Sequence, residues 1–152
     1  DILLGMELTF EGSANDYLVY GLTEELIYKY NNEQLDFRRM NIKKFKEFAD
    51  DQGLIVIQAH PFRNNMTVVK PIYLHGIEVY NGNPRQESRN DIALLWAEKF
   101  GLKMTSGSDF HQEPDIARGG IITNHRIRTN EMLIETLKGG NYSLKSSDDS
   151  PV

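Results

Sequence analysis

Apolar positions recur along the chain with two periods, and the two alternate. The opening run Ile2-Leu3-Leu4-Gly5-Met6-Glu7-Leu8-Thr9-Phe10 is strand-like, and Tyr17 to Leu22 is a second, shorter apolar strand. Thr23 then caps a brief helix carrying Leu26, Ile27 and Tyr30, and residues 31–40 are polar and loop-like. Asn41 caps another helix, with Ile42, Phe45 and Ala49 on one face and Gly53 just past its end. Leu54 to Ala59 is a continuous apolar run, the pattern of a strand buried on both faces, and Gly76 to Tyr80 is a second such run. Residues 87–100 place Ile92, Ala93, Trp96 and Phe100 at helical spacing. Strands follow at Leu102–Thr105 and Gly120–Thr123, a helix from Thr129 or Asn130 to Leu137 and a last strand at Tyr142–Leu144. This alternation predicts one α/β domain with a mainly parallel sheet. The chain opens inside an apolar strand without an initiator Met, which reads as the later part of a longer domain. Residues 146–152 read as a polar tail.

Composition narrows the chemistry. The 152 residues are 39% apolar and 26% charged, with no cysteine, so disulfides, thiol catalysis and cysteine-held zinc are excluded. A metal site would have to use His, Asp, Glu or Asn. No apolar run approaches the ~20 residues of a membrane span, and no secretory or transit segment opens the chain. The expected location is cytoplasmic. With 17 basic against 22 acidic residues the net charge is −5, which argues against a stable nucleic-acid complex but leaves a small anionic substrate open.

The residues that follow each strand carry the candidate chemistry. Glu7 lies within the first strand. Leu54–Ala59 runs into His60-Pro61-Phe62-Arg63, Gly76–Tyr80 into Asn81-Gly82-Asn83-Pro84-Arg85, and Leu102–Thr105 into Ser106-Gly107-Ser108-Asp109-Phe110-His111. Ligands of parallel α/β folds gather at the carboxyl ends of strands. Asp109 and His111 are two apart, so extended backbone points both to one side, roughly 7 Å apart. Each residue alone has a plainer reading: a capping Asp, a core His, a surface Arg. Glu7 is the exception, because a carboxylate between Met6 and Leu8 in a central strand is costly to bury without a cationic partner. Together the four positions favour a metal site. His75 and His125 read as structural, and Gly119-Gly120 is too short for a phosphate-binding loop.

Four segments in order, Gly5-Met6-Glu7, Gln58-Ala59-His60-Pro61-Phe62-Arg63, Gly76 to Gly82, and Ser106 to His111, resemble the middle and C-terminal motifs of the PHP (polymerase and histidinol phosphatase) family. The resemblance covers residues 1 to about 125. It implies a distorted (β/α)7 barrel, here without its first β/α units, spanning residues 1–145. It also implies two or three divalent ions (Zn, Mn or Fe) and hydrolysis of a phosphoester on a small phosphorylated substrate or nucleotide. Carried over by position, Glu7, His60, Asp109 and His111 are the implied metal-binding and catalytic residues. Asp16 stands where many members have a ligating histidine. Asn81, Arg63, Arg85 and Arg118 are candidates for substrate contact. The family's His-x-His motif is absent. An amidohydrolase-like enzyme, a non-catalytic PHP-fold regulatory module and a polymerase-attached domain are the alternatives, and a homo-oligomer is possible.

Overall fold

The computed structural model describes residues 2–147, Glu33 excepted. Its elements are β1 (Gly5–Thr9), β2 (Asp16–Tyr20), α1 (Glu24–Asn31), α2 (Ile42–Asp51), β3 (Ile55–Gln58), β4 (Gly76–Asn81), α3 (Asn90–Phe100), β5 (Lys103–Gly107), β6 (Gly120–Ile122), α4 (Asn130–Gly139) and β7 (Ser143–Lys145). The expected caps are in place. Side-chain oxygens of Thr23, Asn41 and Thr129 accept from the backbone N–H groups of Leu26, Lys44 and Met132, each satisfying a donor that the first helical turn leaves open. No helix among the described residues is long and apolar enough to cross a membrane.

The sheet corrects the expected architecture. Five strands pair in the order β1-β2-β3-β4-β5, and β6 and β7 form a separate two-stranded sheet. β1–β2 and β2–β3 are antiparallel, while β3–β4 and β4–β5 are parallel. The arrangement is a mixed, open sheet, and the described residues form no closed barrel; the distorted (β/α)7 barrel is not the fold of this chain. The reason lies partly in the connections. Only residues 10–15 link β1 to β2, too few for the crossover of a dozen or more residues that parallel strands require. β1 also ends the sheet, so it is an edge strand and not the central one the sequence suggested.

Alternation along the strands divides the interior. Leu8, Phe10, Tyr17, Val19 and Val56 join Leu26 of α1 and Phe45 and Ala49 of α2 in one core. The opposite face sends Leu18, Tyr20, Ile55 and Ile57 toward Leu133, Ile134 and Leu137 of α4. β4 approaches β5 so closely that a Cβ on Gly76 would lie 2.5 Å from the Lys103 carbonyl oxygen, which is why a residue without a side chain opens that strand. Residues 148–152 of the expected tail lie outside the described residues. Its first part is fastened, since the Ser147 N–H donates to the Tyr80 hydroxyl at 2.9 Å.

His75 has the structural role expected of it. Its Nδ1 accepts from the Val56 N–H at 3.0 Å, which fixes the proton on Nε2, and Nε2 donates to Asp50 Oδ1 at 2.9 Å. The imidazole thus ties the segment before β4 to both β3 and α2. Burial, then the Lys46 charge, holds this imidazole below its ordinary pKa, against the opposing pull of Asp50; Lys138 adds to the lowering. A histidine lowered in the folded state contributes its full stability above the unfolded value of about 6.5 and loses it as pH falls through the folded value. Urea midpoints should therefore fall on acidification from pH 7.5 to 5. His75→Asn, which keeps an acceptor and does not titrate in that range, should lose less over the same interval.

Candidate functional site

The strand directions assemble the candidate cluster. β2 runs against both β1 and β3, so its first residue, Asp16, lies beside the end of β3. Tyr17 pairs with Gln58, and the Ala59 N–H donates to the Asp16 carbonyl at 3.0 Å. That bond carries the ladder to the threshold of His60. On the other side Thr9 pairs with Asp16, which sets Glu7 one same-face position back along β1. Glu7, Asp16 and His60 then offer one ligand atom each, all within 4.8 Å of one another.

The donors suit a divalent cation. His60 Nε2 lies 3.4 Å from Glu7 Oε1 and 3.8 Å from Asp16 Oδ2. Ligands at 2.0–2.2 Å from one ion are separated by about 3.0–3.6 Å, so the three need only close slightly. Two carboxylates and one imidazole form a hard, oxygen-rich set for ions such as Mn or Zn. The Thr9 hydroxyl donates to Asp16 Oδ1, the oxygen turned away from His60, and so orients the carboxylate. His60 is buried, and its Nδ1 has no hydrogen-bond partner. Its backbone is also strained, with φ at +26° just before Pro61. The strained backbone is costly to maintain, and Nε2, which faces both carboxylates, is the nitrogen a cation would take.

The rest of the cavity is a network built on β4 and β5. The cavity, of about 200 Å³, is lined by Glu7, Leu18, Tyr20, Ala59, His60, Glu78, Asn81, Gly107 and Asp109. At its floor the buried Glu78 accepts from the His60 N–H at 2.8 Å and from Asn81 Nδ2 at 3.0 Å. Burial pushes the Glu78 carboxyl up, against the lowering pull of those donors. A Cβ on Gly107 would meet Glu78 Oε1 at 2.5 Å, so the glycine makes room for that carboxylate. Glu78 went unsingled in the sequence, although a glutamate between Ile77 and Val79 carries the same signal as Glu7.

Asp109 lines the same cavity but stands outside the three-donor cluster. Its Oδ2 accepts from Arg63 Nη2 at 2.6 Å and from Asn83 Nδ2 at 3.3 Å, and its Oδ1 accepts from His111 Nε2 at 3.1 Å. Burial acts to raise the Asp109 carboxyl, but the hydrogen bond and charge of Arg63, with His60 and Asn83, hold it below the usual carboxylate range. Its φ is +46°, a second strained position at the cavity. His111 is mostly exposed, reaching the site through Asp109.

The remaining candidates each have an intramolecular partner. Arg63 also donates to Asn81 Oδ1 at 2.8 Å. Arg85 makes a paired contact of 2.7 Å to both oxygens of buried Asp115. Asp115 Oδ2 in turn accepts from the backbone N–H groups of His111 and Gln112. The Arg85 hydrogen bonds hold the Asp115 carboxyl far below the usual range. Arg118 Nε donates to the Gly82 carbonyl at 2.7 Å.

Comparison with known proteins adds two findings. Residues 87–142 match the family model described as PHP-associated. That segment includes Asp109, His111 and Asp115 but not Glu7, Asp16 or His60. The crystal structure of PsfC from Pseudomonas syringae PB-5123 is similar over 88% of this chain, with a TM-score of 0.69 and 19% identity. The match spans 55% of the PsfC chain, so this chain corresponds to about half of that structure. At this identity the likeness is one of fold. No curated protein matches.

The Arg85–Asp115 pair fastens the segment bearing His111. Arg85→Ala should speed amide exchange at His111 and Gln112, which lose a firmly held acceptor. The amides of Val56 and Ile57 in β3 should exchange as before, as read by hydrogen–deuterium exchange.

Proposed function

We propose that this chain is a PHP-related module that holds a divalent cation through Glu7, Asp16 and His60 and hydrolyses a phosphoester there. The observation that carries the reading is the three-donor cluster itself, with its net negative charge and a buried imidazole whose Nε2 faces both carboxylates. A bound divalent ion would supply charge neutralisation at the phosphoryl group and a water acidic enough to attack at neutral pH. The chain's own residues do the rest. Asp109, kept ionised by Arg63, orients His111 through Nε2 and leaves His111 Nδ1 to take or return a proton. Glu78 fixes the backbone of His60, and so the direction of its ring.

A second reading is a non-catalytic PHP-associated module. The family match favours it more directly, because the matched model is the PHP-associated one and stops short of the three-donor cluster. On this reading the 108–118 segment, with Arg63 and Arg85 bonded to its Asp109 and Asp115, serves a structural or regulatory purpose.

Two measurements separate the readings. Calorimetric titration of the metal-stripped protein with Mn2+ should show binding, and Glu7→Gln should weaken it at least tenfold, in keeping with the 10- to 100-fold losses seen for weaker, outer-shell changes. Glu7 is half exposed, so its thermal midpoint should shift little. Mn2+-dependent release of phosphate from a generic aryl phosphate, abolished in Asp16→Asn, supports hydrolysis. Cation binding without turnover supports the non-catalytic module, and no binding at all removes the metal reading.

A further inference from the structure

We infer that Arg63 is a built-in counter-cation for Asp109, and that by engaging this carboxylate it limits the cavity to one divalent ion. The inference rests on the cation reading of the Glu7–Asp16–His60 cluster and deepens it.

Four carboxyl groups converge here: Glu7, Asp16, Glu78 and Asp109. Only the first two share a cation-sized space with His60. Asp109 is as well buried as a second ligand group would be, with 11% of its side chain exposed, yet both of its oxygens are already engaged. Arg63 is 13% exposed, so the pair is a shielded one. In such a pair the charge of one partner is matched by the other, and removal of either leaves an uncompensated charge.

The arginine is placed with precision by its surroundings. Its backbone N–H donates to the His60 carbonyl at 3.1 Å, one turn past the cluster. Its Nε reaches Ser88 Oγ at 3.3 Å, and its Nη2 spans Asn81 Oδ1 and Asp109 Oδ2 at 2.8 and 2.6 Å. One nitrogen therefore engages two oxygens, of which Asn81 Oδ1 also accepts from the Asn83 N–H at 3.1 Å, while the other oxygen of Asp109 accepts from His111 Nε2. Those oxygens and the imidazole are the donor types of a divalent site. A guanidinium is charged at all working pH values, so the position is filled by a permanent cation.

The test is the number of ions bound. The metal-stripped 152-residue chain is loaded with Mn2+, passed through gel filtration and analysed by elemental mass spectrometry and calorimetry. The wild type and Arg63→Lys, which keeps the charge, should each hold one ion. Arg63→Ala and Arg63→Gln should each hold two, the second at Asp109, Asn81 and His111, with near-ultraviolet circular dichroism as in the wild type. The double variant Arg63→Gln with Asp109→Asn, which removes both charges of the pair together, should take up a single ion with a Kd within threefold of the wild type, a measurement that stands even if both single charge-removing variants fail to fold. One ion in folded Arg63→Ala or Arg63→Gln, two in the wild type, or a tenfold loss of affinity in the double variant would each overturn the inference while leaving the cation reading intact. No Mn2+ uptake by the wild type would overturn the cation reading itself.

Discussion

The antiparallel seat of β2 between β1 and β3 is the constraint on which the candidate site depends. Parallel strands bring their carboxyl ends together, but a strand running the other way brings its first residue to the same edge. Asp16 is that residue, locked by its carbonyl to the Ala59 N–H and by the Tyr17–Gln58 pairing. Side chains alternate faces along a strand, so a slip of one residue would turn Asp16 into the aromatic core and Tyr17 toward the cavity. The phenylalanine and tyrosine packing on the far side, where Phe10 meets Tyr17 and Phe45 at ring separations of 5.1 and 5.7 Å, penalises that slip. The hydrophobic core thereby sets the register that places the polar cluster.

A second layer of polar groups supports the first. Glu78 ties His60 to Asn81, Asn81 ties Glu78 to Arg63, and Arg63 ties both to Asp109. Residues from β4 and from the segments after β3 and β5 meet in this chain of contacts. Such a network holds its members together only when nearly all are satisfied. The unpaired Nδ1 of His60 is the exception, and it belongs to the residue whose other nitrogen faces two carboxylates.

The sequence made the local elements legible and the global connection less so. Helix starts at Thr23, Asn41 and Thr129 are set by short-range hydrogen bonds, and those are visible as residue types at fixed offsets. Sheet order is a long-range property, and apolar runs such as Ile55–Gln58 look alike in parallel and antiparallel company. The brevity of the 10–15 connection was the available clue against a repeated β/α pattern. Glu7, Asp16 and His60 were visible as candidates, although the argument from Glu7 assumed a central strand where the structure has an edge. The partners of Arg63, Arg85 and Arg118 were not visible. A surface arginine, a substrate arginine and one committed to a buried carboxylate 30 residues away, as Arg85 is to Asp115, have the same signature in one dimension.

The positive φ angles of His60 and Asp109 set stability and chemistry in opposition. Glycine is the residue that adopts such backbone without strain, so at either position replacement by glycine would relax the main chain. It would also delete the imidazole or the carboxylate for which the strain is held. Stabilisation campaigns guided by backbone preference would select these two positions early and would empty the cavity of its chemistry in doing so. The strained pair thus marks where thermal robustness and chemical capacity cannot be improved by the same substitution.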